Sequence, residues 1–215
     1  MTRNKPANKA RANSTQKPTR IQREKTGAIL EAALEVFSRH GFRGATLDMI
    51  AQKARLSKPN LLYYFASKEA LHAELISGLM VKWLEPLEKI SAEGDPVAEI
   101  TGYIVRKLEL AEEFPRESRL FANEIIQEAP RGKDTLNGHL KALMDKKVVL
   151  IQDWIDDGKI APVDPYHLIF SIWATTQHYS DFDTQIKAMM NEGYEDRFST
   201  AKTYLINLFT KGLRL

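Results

Sequence analysis

From Ile21 onward the apolar residues recur every three or four positions, and no useful length of the chain alternates with period two. Residues spaced that way share one face only when the backbone is helical. The fold class expected is therefore all-α. Ile29, Ala32, Ala33, Val36 and Phe37 make the first stripe, and Gly41 ends it. Thr46 caps a short helix carrying Met49, Ile50 and Lys53, and Ser57 caps a second, Lys58 to Phe65. Ser67 opens a long helix striped with Leu71, Leu75, Leu79, Trp83 and Leu87. Pro86 lies inside it, cannot bond the carbonyl of Lys82, and is expected to bend the helix one turn beyond Trp83. Further helices are expected from Asp95-Pro96 to Phe114, from Pro115 to Glu128, from Asp134 to Asp157 before Gly158, from Asp164 to Tyr179, and from Glu195 to Lys211. The total is about nine, with no internal repeat.

Charge is unevenly placed along these 215 residues. Residues 1–25 hold eight basic side chains, Arg20 and Arg23 among them, against Glu24 alone: a net +7 in a chain that totals +3, so the rest sums to −4. A basic arm on a mildly acidic body suggests a polyanionic partner near that end, or else a solvated tail. Residues 1–19 have almost no apolar content and are expected to be disordered. The chain has no cysteine, which removes disulfides, thiolate metal sites and cysteine nucleophiles. It has no apolar run near the ~20 residues of a membrane span and no signal-peptide core. A soluble, cytoplasmic protein is expected.

The stretch SKPNLLYYF, Ser57 to Phe65, carries more aromatic and aliphatic surface than so short a helix can bury in its own protein. Two short helices joined by a few residues read as a helix-turn-helix. Leu61 and Phe65, at i and i+4, would hold the second helix inward. Lys58, Pro59, Asn60, Tyr63 and Tyr64 would face a DNA major groove. There a lysine reaches guanine, an asparagine pairs with adenine or a phosphate, and a proline ring touches a thymine methyl group. Tyrosine hydroxyls and Lys68 suit phosphate oxygens. The competing reading is a helical hairpin with its aromatic residues packed inside.

Those residues, TLDMIAQKARLSKPNLLYYFASKEAL with AALEVFSRHGFRGAT before them, resemble the DNA-binding domain of the TetR family of repressors. Phe37, Gly41, Thr46, Ile50, Ala51, Ala54, Ser57, Leu61, Phe65, Lys68 and Leu71 carry the likeness. The resemblance implies base-facing roles for Lys58, Pro59, Asn60 and Tyr63, and phosphate-facing roles for Thr46, Tyr64 and Lys68. The arm with Arg20 and Arg23 would grip the backbone or a neighbouring minor groove. Arg55 stands where the family usually has Gly. A left-handed residue there costs about 1 kcal/mol, offset if the guanidinium meets a phosphate. Leu62 stands where the family often has Tyr, and Asp48 would either read cytosine or face solvent. The implied organisation is a disordered basic arm over 1–19, a helix-turn-helix domain over 20–66, and an effector-binding and dimerisation domain over 67–215.

The likeness extends, through KWLEPL, SRLFANE and GKIAPVDPYHLIFSIWATTQHYSDF, to the family's pyrimidine-utilisation regulators. It implies a homodimeric repressor that binds double-stranded operator DNA and releases it on binding uracil or thymine, without a cofactor. The helix from Asp164 is apolar on most sides yet carries Thr175, Thr176, Gln177 and His178. Thr176 and Gln177 fall on the face of Trp173. A glutamine amide can accept from a ring N–H and donate to the adjacent carbonyl, and an indole offers a stacking face. Trp173, Thr176 and Gln177 are thus expected to line an effector pocket, with Trp83, Leu79, Phe114, Phe121 and Tyr179. The competing reading is plain core. A seam of Phe198, Ala201, Leu205, Leu208 and Gly212, with Ile169 and Ile172, would join two subunits, or else fill one chain. An acyl chain, a drug or another metabolite is the alternative effector. No enzyme and no metal are expected, since His178, Asp181, Asp183 and Ser180 match no ligand or catalytic spacing with a mechanism behind it.

Overall fold

Side-chain caps start most of the helices where the sequence places them. The computed structural model describes residues 19–127 and 136–214. Ten α-helices run through them: α1 Arg20–Gly44, α2 Leu47–Lys53, α3 Lys58–Tyr64, α4 Lys68–Glu88, α5 Pro96–Glu113, α6 Pro115–Ile126, α7 Lys141–Asp156, α8 Pro165–Asp181, α9 Asp183–Met190 and α10 Arg197–Leu213. A wider-wound turn, Leu136–Leu140, leads into α7, and the tighter turn Asn191–Tyr194 follows α9. No strand occurs among the described residues. Thr19, Thr46, Ser57, Ser67, Asp95 and Asp164 each accept a hydrogen bond from a backbone N–H in the first turn of the helix they precede. Gly41, at φ 63°, breaks the helical path of α1 where the sequence expectation stopped that helix.

Helices α1 to α3 close around Ile29, Ala33, Phe37, Ile50 and Leu61, all essentially buried. The same core continues into α4 through Leu71, Leu75 and Ile76. In the larger part α5 packs against α8 and α10, α7 lies against α8, and α6 touches both α8 and α1. Two lysines close helix ends. Lys68 Nζ donates to the carbonyls of Phe42 (2.8 Å) and Ala45 (2.9 Å) after the break in α1. Lys147 Nζ donates to those of Glu88 (3.0 Å) and Ile90 (2.7 Å) after α4. Each satisfies carbonyls that a helix C-terminus leaves without partners.

Several expectations need correction. Of the ten helices among the described residues, α9 alone was not expected. Helix α9 went unseen because Ile186 alone of its residues is buried, so it shows no apolar stripe. Pro86 lies in the last turn of α4, which stops two residues later, so it marks the end of the helix and not a bend within it. Phe198, Ala201, Leu205, Ile169 and Ile172 are buried within the single chain and belong to its own core. Of that seam Leu208 and Gly212 stay exposed, as do Tyr204 on α10 and Tyr166 and Phe170 on α8. The arm over 1–18 and the start of a helix at Asp134 lie outside the described residues.

Candidate nucleic-acid interface and effector cavity

The turn between α2 and α3 explains how an arginine can replace glycine. Ala54 ends α2, and Arg55 follows at φ 56°. Arg55 N–H donates to the carbonyl of Gln52 and Leu56 N–H to that of Ala51, the paired bonds of a Schellman closure. The same closure ends α7, with Gly158 at φ 66° in the equivalent place. Glycine takes that conformation at no steric cost, whereas Arg55 gives up about 1 kcal/mol to hold it.

On α3, Leu61 is wholly buried and Phe65 nearly so, as the helix-turn-helix reading requires. Lys58, Pro59, Asn60 and Tyr63 face out, Tyr63 with 75% of its surface exposed. Tyr64 is half-buried, its ring edge-on to Tyr63. Thr46 caps α2 by accepting from Met49 N–H and keeps its own O–H to donate. Arg20 and Arg23 are exposed on the first turn of α1, Arg20 beside Glu24 at 3.5 Å. The ammonium of Lys58 meets the Asp48 carboxylate at 2.8 Å, which ties α3 to α2 on the outward surface. The ammonium of Lys68, which was expected at a phosphate, spends two of its three donors on backbone carbonyls and lies 4.4 Å from the centre of the Phe42 ring.

A second site lies where α4, α5, α6 and α8 meet. Trp83, Phe121, Trp173 and Gln177 line a cavity of ≈ 40 Å³ there, with Met80, Leu84, Lys107 and Leu140. The Trp173 indole N–H donates to the hydroxyl of Tyr103, which fixes the ring and leaves its face for a ligand. Burial pushes the Tyr103 hydroxyl well above its usual pKa, so it stays neutral. No hydrogen bond among the described residues uses the Gln177 amide. Four of the eight expected ligand residues therefore line this cavity. Thr176 does not serve as expected: it is fully buried and its hydroxyl donates to the Ile172 carbonyl of its own helix at 2.7 Å. Phe114 stands behind Trp83 with ring centres 6.5 Å apart, Tyr179 turns toward Phe198, and Leu79 is core one turn before Trp83.

Lys107 was missed by the sequence reading. It is 3% exposed, and burial brings its pKa down to about 8, partly countered by the Asp181 carboxylate. The signal was present: Tyr103, Lys107 and Ala111 are successive i,i+4 positions on an otherwise apolar face of α5. The residues weighed for a metal or for catalysis are engaged separately. His178 stacks on Phe182, Asp181 accepts from Ser118, Ser180 donates to Ser118, and Asp183 accepts from Tyr194 and pairs with Arg197. Among the described residues no three potential metal ligands come together, and no helix is long and apolar enough to cross a membrane.

A helix-turn-helix and, apart from it, an aromatic-lined cavity define a ligand-responsive DNA-binding regulator. The model of bacterial regulatory proteins of the tetR family matches residues 29–75, and that of the YcdC-like protein C-terminal region matches residues 76–215. The chain belongs to the TetR family of transcriptional regulators. It is 44% identical over 203 residues to the HTH-type transcriptional regulator RutR of Escherichia coli K12, covering 94% of this chain and 96% of that one. RutR of Shigella flexneri matches to the same extent. The repressor NicS of Pseudomonas putida is 27% identical over 139 residues, 61% of each chain. Two solved structures share the fold: the transcriptional regulator SCO4942 of Streptomyces coelicolor (TM-score 0.71, 24% identity, 88% of this chain and 98% of that one) and KstR2 of Mycobacterium tuberculosis (TM-score 0.67, 19% identity, 95% and 97%). The relatives are regulators, and the chain is a transcriptional regulator of the RutR type, not an enzyme.

Proposed function

We propose that a dimer of this chain occupies operator DNA of pyrimidine-utilisation genes as a repressor, and leaves it when uracil or thymine enters the cavity between α4 and α8. The observation that carries the reading is a cavity lined by two indoles, one amide and one ammonium. A flat uncharged ring with N–H donors and carbonyl acceptors uses every one of them. The 44% identity to RutR supports the same reading. A fatty acyl effector is disfavoured, because its chain would leave the Gln177 amide and the Lys107 ammonium of the lining without partners. No cofactor takes part, and the DNA target places the protein in the cytoplasm.

Release follows from which residues line the cavity. On this reading, a pyrimidine ring that enters the cavity displaces Trp83 or Phe121, both of which line it. Trp83 lies on α4, and only three residues, Phe65 to Ser67, separate α4 from the end of α3 at Tyr64. Two recognition helices in a dimer must sit about 34–36 Å apart to enter successive turns of one groove. The exposed Tyr166, Phe170, Tyr204 and Leu208 are the surface through which the second copy is held. Tilting α4 moves α3 and spoils the spacing, provided the ring binds the tilted state more tightly. A mobility-shift assay tests it: uracil at saturation should release operator DNA, and unaltered retardation would sink the scheme. Gln177→Ala should lose uracil binding by calorimetry; an affinity equal to that of the unmodified protein would remove Gln177 from the site.

A further inference from the structure

We infer that Lys107 reads a ring carbonyl of the effector and makes the cavity prefer oxo-pyrimidines to amino-pyrimidines. The inference rests on the pyrimidine reading above. Lys107 lies on α5 and lines the cavity beside Trp83, Trp173 and Gln177. Its ammonium stands 6.0 Å from the centre of the Trp83 ring, too far to be satisfied by that face alone. It makes no hydrogen bond and no ion pair among the described residues, although the residue is only 3% exposed. The charged groups facing it are few. Asp181, on α8, is held by the hydroxyls of Ser118 and Ser180, and Arg119 on α6 donates to the Ser180 carbonyl. An ammonium has three N–H donors and accepts nothing. One that is buried, without protein acceptors and set at the edge of a cavity needs acceptor atoms from whatever fills it.

Uracil and thymine meet that need. Lys107 and Gln177 line the cavity from different helices, α5 and α8, so each can take its own edge of a flat ring. Gln177 accepts from N1–H and donates to the C2 carbonyl, and the C4 carbonyl is left to Lys107. Cytosine carries an amino group at C4, which would set a donor against a donor. A cationic drug or a purely apolar effector would leave the ammonium without a partner. The exclusion thus works by an unmet hydrogen bond, which discriminates more strongly than a change of shape.

The test is calorimetric titration of the full-length protein, of Lys107→Met and of Lys107→Gln with uracil and with cytosine. The unmodified protein should bind uracil at least about 100-fold more tightly than cytosine. Lys107→Met should lose about 10- to 100-fold in uracil affinity with little change for cytosine, so the ratio shrinks. Lys107→Gln keeps a neutral donor and should recover part of the ratio. Uracil binding by Lys107→Met equal to that of the unmodified protein overturns the inference and spares the pyrimidine reading. So does a proportional loss for both bases, which marks a role in the scaffold. Failure of the unmodified protein to bind either base overturns both.

Discussion

Replacing Lys107 by methionine should stabilise the unliganded protein, by an amount that depends on pH in a calculable way. Burial lowers the ammonium pKa from 10.5 to about 8. Lowering a pKa by one is worth about 1.4 kcal/mol, so carrying the charge at pH 7 costs the folded state roughly 3 kcal/mol. The sign follows from proton counting. Between pH 8 and 10.5 the unfolded chain holds the proton and the folded chain has released it, so stability rises with pH in that window. Methionine has similar length and no charge, and it removes the penalty below pH 8 and the slope above it. Asp181 loses a cationic neighbour in the exchange but keeps Arg119 and two serine hydroxyls, so about 3 kcal/mol is an upper figure. For a chain of this size that corresponds to roughly 6–12 °C in Tm. Urea or thermal unfolding at fixed protein concentration, without ligand, from pH 6.5 to 10.5, gives the difference curve for the two proteins. The methionine variant should lead at pH 7, and the gap should close as the pH passes through the window. A gap that is constant with pH, or a variant less stable at pH 7, refutes the reasoning.

The remaining predictions concern the DNA-reading end and the dimer. Arg55→Gly should raise thermal stability by about 1 kcal/mol, because glycine accepts the left-handed turn. If the guanidinium meets a phosphate, the same change lowers the salt slope of operator binding by about one unit in a filter-binding series. Lys68→Met should cost about 1–2 kcal/mol in urea unfolding, since it strips the donor from two carbonyls. It should leave the salt slope of DNA binding within error, and a fall of a full unit would restore Lys68 to the phosphate contacts. Leu208→Glu puts a charge into the exposed patch with Tyr204 and should yield monomers in sedimentation analysis; a persistent dimer would place the interface elsewhere.

The helix-turn-helix was legible from sequence because every signal for it is local. Thr46 and Ser57 cap the neighbouring turn, Leu61 and Phe65 repeat at i,i+4, and Pro59 occupies a first turn where its missing N–H costs nothing. That Trp83, Phe121, Trp173 and Gln177 line one cavity was legible too, since Trp173 and Gln177 share a helical face and the resemblance covers the segments with Trp83 and Phe121. The failures come from partners distant in the chain. Lys68 looks like a free cation until the fold brings the carbonyls of Phe42 and Ala45 beneath it, from the far side of the helix-turn-helix. Thr176 looks like a pocket donor until its own helix takes its hydroxyl. The α10 stripe is equally consistent with an interface or a core, and α5 decides the matter by packing against it. Lys107 was passed over because one charge in an apolar stripe reads as a side chain that snorkels out, whereas here the helices on either side enclose it.

The cavity has a second connection to the DNA-reading end besides the continuous chain of α4. Helix α6, which supplies Phe121, also packs along α1. Arg116 at its start pairs with Glu31 of α1 at 2.8 Å, although the pair is too exposed to contribute much stability. Further along, Glu124 of α6 and His72 of α4 approach to 3.9 Å in a buried place, and the His72 ring sits edge-on to Phe37 and Phe42 of α1. If the proposed effector parts Trp83 from Phe121, it pushes α4 and α6 away from each other, and α1 packs against both. Close-packed cores resist gradual deformation, so α1 has to follow one helix or the other and carries α2 and α3 with it. On this geometry, the effector's leverage on α3 depends on the separation of Trp83 and Phe121. Shortening either side chain should weaken release of DNA more than it weakens binding of the ring.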